Sequence, residues 1–153
     1  MQYWLMKTEP GTYSIDDLLA EPNQTDHWDG VRNYQARNFM RDAMTVGDKV
    51  LLYHSGKAPA VVGTGVIARE GYPDHTAWDP DGEHYDPKSS PDNPIWYMVD
   101  VRCEQKFAVP LPLKTLRGEE ALVDMWLLRR GMRLSIQPVS RGEFDHIIGI
   151  AEY

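Results

Sequence analysis

Hydrophobic and polar positions alternate in two rhythms along the chain, and each rhythm predicts an element. "YWLMK" (Tyr3–Lys7) is a short apolar run ended by the turn signal "TEPG", so a strand entering a turn. In "YSIDDLLAEP", Ser14 is placed as an N-cap, Asp17 three residues on completes a capping box, and Pro22 stops the short helix. Further on, Ala36, Phe39, Met40 and Ala43 fall at i, i+3, i+4 and i+7, the stripe of a helix with one buried face, and Asn33 is its cap. At about 100° per residue, Asn33, Arg37 and Arg41 form the flanking edge of that helix.

"TVGDKVLLYHS" reads as a tight turn feeding a strand over Lys49–Ser55. "GKAP" turns the chain and "AVVGTGVIAR" returns, the pattern of a β-hairpin. Gly71–Pro94 carries five prolines and six acids, a long polar connection of the kind that is functional or mobile in compact domains. "IWYMVDVRCEQKF" predicts another strand, and "VPLPLKTLRGEEALVDMWLLRRG" a proline-rich turn with short helical pieces. "MRLSIQPVS" predicts a strand ended by Pro138. "SRGEFDHIIGIAEY" opens on a second capping box, Ser140 with Glu143, and predicts a short C-terminal helix. Strands interspersed with short helices, without βαβ alternation, give α+β with a curled sheet. With no repeat or linker, residues 1–153 are expected to form one domain.

Composition narrows the function. A formal net charge of -7 and a pI near 5.1 argue against a large non-specific nucleic-acid binder, so any such role needs a local basic patch. The single cysteine, Cys103, sits in a strand-like run and is expected buried. No charged n-region or long apolar stretch follows Met1, and a soluble, cytoplasmic protein is expected, with no membrane partner.

Three motifs fail on inspection. "GTGVIA" (Gly63–Ala68) matches G-x-G-x-x-A, but no helix can open before Gly71 and Pro73; glycines permitting a bulge or close backbone packing explain it better. "DPDGE" (Asp79–Glu83) lacks the ligand ladder of a calcium loop, and His75 and His84 nearby fit no metal cage. His54 and Ser55 are adjacent on a strand and point to opposite faces, so one cannot activate the other. No cofactor, metal site or catalytic constellation is evident. What remains is "HWDGVRNYQARNFM" (His27–Met40), which gathers guanidinium and amide donors beside a tryptophan. Either it is a solvated face, or it borders a small planar ligand with a charged tail.

"YWLMKTEP", "YSIDDL", "WDGVRNYQARNFM", "VGDKVLLYHS" and "RLSIQPVS", in this order over nearly the whole chain, resemble the EVE-domain family. The resemblance implies a PUA-like pseudo-barrel, a curved mixed sheet with short helices around it, and kinship with YTH and ASCH domains. It further implies a non-catalytic reader of a modified base in DNA or RNA, held extruded or single-stranded. Carried over by motif, Lys7, Thr8 and Glu9 meet the base edge, Trp28 stacks on it, and Tyr53 and His54 are the nearest rings where YTH domains carry a second cage aromatic. Ser14, Gly30, Val31, Asn33 and Ser55 complete the expected pocket. Arg32, Arg37 and Arg41, with a second cluster of Arg129, Arg130 and Arg133, are the phosphate candidates. Each has a plain structural role beside it: Trp28 as core, Asn33 as cap, Arg32 and Arg37 as partners of Asp29, Glu9 or Asp16, and Lys7 as partner of Glu9. Two rivals are an RNA- or nucleoside-processing enzyme of the wider PUA/ASCH group and a small-molecule or protein-interaction module.

Overall fold

The computed structural model describes residues 1–153. Six strands form one mixed sheet in the order β2-β5-β4-β3-β1-β6: β1 Tyr3–Thr8, β2 Thr25–His27, β3 Lys49–His54, β4 Ala60–Pro73, β5 Tyr97–Pro112 and β6 Ile136–Val139. Only β1 and β3 run parallel, with Thr8 opposite His54; every other pairing is antiparallel. The sheet does not close: β2 and β6 remain its edges. It curls because β4 and β5 are long and repeatedly bulged, with register shifts around Gly63, Gly65 and Arg69. The glycines of the failed dinucleotide motif explain two of these. A Cβ at Gly63 would lie 2.4 Å from Gln105 O, and one at Gly65 2.7 Å from Arg102 O, so backbone approaches backbone there.

Strand alternation sends side chains to two cores. Trp4, Met6, Val50, Leu52, Val99 and Val101 face one, covered by α1 (Ile15–Leu19) and α2 (Tyr34–Asn38). Leu5, Leu51, Tyr53 and Val61 face the other, covered by α3 (Leu113–Arg117), α4 (Arg141–Ile150) and the 3-10 turns between them. Both capping boxes form, at Ser14 with Asp17 and at Ser140 with Glu143. Asn33 caps α2 by accepting Ala36 N–H at 3.0 Å. The helix then widens into a π-turn over Phe39–Ala43, which keeps Met40 buried and Phe39 against the core. Cys103 is buried.

Three expectations change. Pro138 does not end its strand: β6 passes through it, because an edge strand can spare one N–H. "VPLP" is not a turn but the end of β5, whose Leu111 and Pro112 pair with Val61 and Ala60. The long polar connection begins later than expected, since β4 runs to Pro73 opposite Tyr97. No helix is long and apolar enough to cross a membrane.

Candidate nucleic-acid interface

The parallel pair β1–β3 ends at Thr8 and His54, and the chain beyond β1 folds back on itself there. Thr8 Oγ1 donates to Tyr13 O at 2.7 Å, and the N–H groups of Thr12 and Tyr13 donate to Glu9 O. Opposite this turn, β2 delivers Asp26 and His27, and Trp28 N–H donates to Val99 O at 2.8 Å. The chain then leaves the sheet at Gly30, in the left-handed region at φ 77°.

What fixes that departure is Asp74, wholly buried at the end of β4. It accepts Gly30 N–H at 2.9 Å, Arg32 Nη1 at 3.0 Å and Thr76 N–H at 2.9 Å. Burial works against its ionised form, but the bonds from Thr76, Gly30 and Arg32 outweigh it and hold the carboxyl below the usual range. Arg32 reaches on to His84 O at 2.7 Å. His84 Nδ1 lies 3.2 Å from Asp29 Oδ2, and its imidazole covers Gly30 so closely that a Cβ there would stand 2.6 Å from the ring. The polar connection is thus clipped onto the Trp28–Arg32 segment.

Between these walls lies an open cavity of about 550 Å³. Lys7, Thr8, Glu9, Thr12 and Tyr13 line one side, Asp26–Arg32 the floor, and Glu83, His84 and Ser135 the remainder. Its carboxylates are partly engaged: Tyr13 Oη donates to Asp26 Oδ2 at 2.7 Å, and His27 Nδ1 lies 2.7 Å from Asp26 Oδ1. Burial, then the Asp26 carboxylate, push the Tyr13 phenol well above its ordinary value, so it stays a donor. The Lys7 amine is pushed down by burial, pairs with no carboxylate, and sits 5.5 Å over the Tyr53 ring. Ser135 also belongs to a second cleft of about 490 Å³, lined by Asn33, Arg129, Arg130, Met132 and Arg133. Arg129 lies over the Trp126 ring at 5.1 Å.

The expected site residues divide accordingly. Lys7, Thr8, Glu9, Trp28, Gly30, Val31 and Arg32 meet in the cavity. Asn33 lines the basic cleft while capping α2. Ser14 borders only a crevice beside Trp28, too narrow for a water molecule, and His54 borders that crevice and a separate cleft of about 470 Å³ with Pro10, Lys57 and Pro112. His54 Nε2 accepts Ile15 N–H at 3.0 Å, and burial lowers its pKa. Tyr53 is turned to the opposite core, because it neighbours His54 on a strand. Ser55 donates back to Thr8 O. Trp28 is only 7% exposed and packs in the core while bordering both cavity and crevice.

The arginines of the expected rim are bonded within the protein. Arg32 is taken up by Asp74, Val31 O and His84 O, none of them the partner the sequence suggested. Arg37 donates to Ile95 O and Asn38 Oδ1, and Arg41 to Asp42. Of the two clusters, only Arg129, Arg130 and Arg133 line a cleft together. Sequence reasoning missed Tyr13, Asp26, Asp74, Glu83 and His84. The spacing of Asp74 and Thr76 signals a side-chain turn, but nothing local signals its bond to Gly30.

A curled, open α+β sheet with helices on both faces is the architecture of the PUA-like proteins. An ASCH protein of Zymomonas mobilis shares that fold at a TM-score of 0.59 and 10% identity. Within this class the chain belongs to the EVE-domain family, whose model matches residues 2–150. It is 44% identical to human thymocyte nuclear protein 1 over 98% of this chain and 74% of that protein. The crystal structure of human THYN1 in complex with DNA containing 5-methylcytosine matches at a TM-score of 0.91 and 43% identity, over 98% of this chain and 97% of that one. A hypothetical protein of Leishmania major matches at a TM-score of 0.91 and 45% identity, over 98% and 94%.

Proposed function

We propose that the protein reads a modified nucleobase, taken extruded or single-stranded into the cavity beside Trp28, and performs no chemistry on it. The observation that carries this reading is the pairing of a ligand-sized polar cavity with a basic cleft, both bordered by Ser135. A cavity near 550 Å³ is of ligand size. Asp26, Asp29 and Glu83 supply acceptors along its wall, which suits a base edge that donates, as the amino group of cytosine does. The complex of the human relative with 5-methylcytosine DNA supports the same class of ligand. Flipping a base costs a few kcal/mol, and phosphate contacts from Arg129, Arg130 and Arg133 would offset it. With a net charge of -7, such a protein grips one nucleotide and its neighbours rather than a long duplex.

Two nucleophilic side chains outside the cavity are withheld from reaction. Cys103 is buried away from solvent, and burial pushes its thiol up to about 11. Ser14 is held in its capping box.

The test is a titration with short DNA and RNA strands carrying one 5-methylcytosine or one unmodified cytosine, on the wild-type protein and on Glu83→Gln and His84→Ala. Tighter binding of the modified strand, reduced by either substitution, is expected. Equal affinity for both strands, unmoved by the substitutions, would overturn the reading.

A further inference from the structure

Tyr34, the first residue of α2, is a large aromatic left 59% exposed. It is nevertheless held in place. Its ring stacks on Trp96 with centroids 4.9 Å apart and planes at 25°. Trp96 is itself buried and donates through Nε1 to Asp86 at 2.7 Å. The Arg37 guanidinium lies 4.8 Å over the Tyr34 ring and is anchored to Ile95 O, next to Trp96. An exposed ring that is already ordered loses little freedom when a ligand lies against it.

Its location gives the ring a purpose. Asn33, the preceding residue, lines the cleft of Arg129, Arg130 and Arg133, and that cleft meets the base cavity at Ser135. Ser135 therefore borders both cavity and cationic cleft, and the exposed ring follows Asn33, a residue of that cleft, by one position in the chain. Proteins that bind single strands combine a basic groove for the backbone with aromatic rings on which successive bases stack, and such stacking tolerates any sequence because every base has a π face.

We propose that Tyr34 is the stacking platform for the nucleotide adjacent to the held base, with the phosphate between the two nucleotides lying in the Arg129–Arg133 cleft. This rests on the reading of the cavity as a base site. The arrangement gives context-independent affinity at Tyr34 and leaves discrimination to the cavity. It also gives Arg37 a positioning role through the ring it supports.

The experiment compares wild type, Tyr34→Ala and Tyr34→Phe on three probes: the nucleoside 5-methylcytidine, a single-stranded pentanucleotide with 5-methylcytosine at its centre, and that pentanucleotide with abasic sites flanking the centre. Tyr34→Ala should weaken the intact pentanucleotide about 5- to 150-fold, the equivalent of one base–aromatic stack. Tyr34→Phe should bind like wild type, and all three proteins should bind the nucleoside alike. Abasic flanks should weaken wild type by a similar factor and leave Tyr34→Ala unmoved further. The platform is overturned if Tyr34→Ala binds the pentanucleotide as wild type does, or if it loses nucleoside and pentanucleotide equally, which would mark an indirect effect through α2. Wild type that ignores the methyl group, while Tyr34→Ala still weakens every single strand, would remove the modified-base reading and leave the platform standing beside a base held without regard to its methyl group. Wild type that binds no single strand would overturn both.

Discussion

The Asp74 clip is the feature on which the cavity depends most directly, and replacing Asp74 by Ala measures it. The substitution leaves four donors without this acceptor: Gly30 N–H, Thr76 N–H, the Thr76 hydroxyl and Arg32 Nη1. Removing one partner of a buried ion pair costs about 3–5 kcal/mol, because the other charge stays behind. Here the side chain of Arg32 is 26% exposed while that of Asp74 is fully covered. Water can therefore solvate part of the stranded guanidinium, and His84 O and Val31 O still hold it. The expected loss is accordingly about 3 kcal/mol, the low end of that range. Domains of this kind have about 5–15 kcal/mol in hand, so the variant should remain folded at 25 °C. In urea the midpoint should fall while the slope stays constant, since the surface exposed on unfolding hardly changes.

Acid supplies a second reading of the same bond. The folded carboxyl lies below its ordinary value, so its contribution is fully present above the unfolded Asp pKa of about 3.9 and is lost as pH falls through the lower folded value. The stability gap between wild type and Asp74→Ala should therefore be constant from pH 7 to 5 and shrink below about pH 4. A double-mutant cycle with Arg32→Ala should show the two side chains coupled. A variant within about 0.5 kcal/mol of wild type, the usual effect of a neutral surface change, or a gap that widens in acid, would refute the account of Asp74 as the anchor of the cavity floor.

Two other substitutions probe the same wall. Gly30→Ala must place a Cβ at φ 77° and 2.6 Å from the His84 ring; it should cost about 1–2 kcal/mol for the left-handed backbone and displace His84, and the double variant with His84→Ala should recover only the steric part in a urea titration. Trp28 is 7% exposed, so Trp28→Ala should destabilise by about 3–5 kcal/mol as a core truncation, whereas Trp28→Phe should keep more of the packing and still weaken the binding of 5-methylcytosine strands, a separation read by thermal melting beside affinity.

How much of this was legible in the chain follows from the range of each interaction. Ser14 with Asp17, Ser140 with Glu143, Asn33 with Ala36 and the stripe through Met40 are contacts within one helical turn, and local sequence states them outright. Gly63 and Gly65 signalled close backbone packing without naming β5 as the neighbour. Pro138 and Pro112 misled because proline reads as a breaker until the strand order shows that β6 is an edge and that Pro112 closes β5. The site proved least legible where it was most polar. Arg32 has several acids near it in sequence and spends itself on Asp74, 42 residues away, and on His84, 52 away. Choosing among carboxylates requires the fold, since charge alone makes every acid an equal candidate. The same ambiguity applies to the partners of the other arginines. Arg37 and Arg41 flank the buried stripe as its spacing implied, and with Arg32 they lie beside Ile95, Trp96 and Tyr97, which offer a carbonyl and two rings. Arg129, Arg130 and Arg133 are exposed and border one cleft, because Gly131 turns the chain at φ 76° between them. A basic cluster on an acidic chain thus becomes informative only once the acceptors already on the protein are subtracted, and the cations left over are the ones whose substitution tests for phosphate contacts.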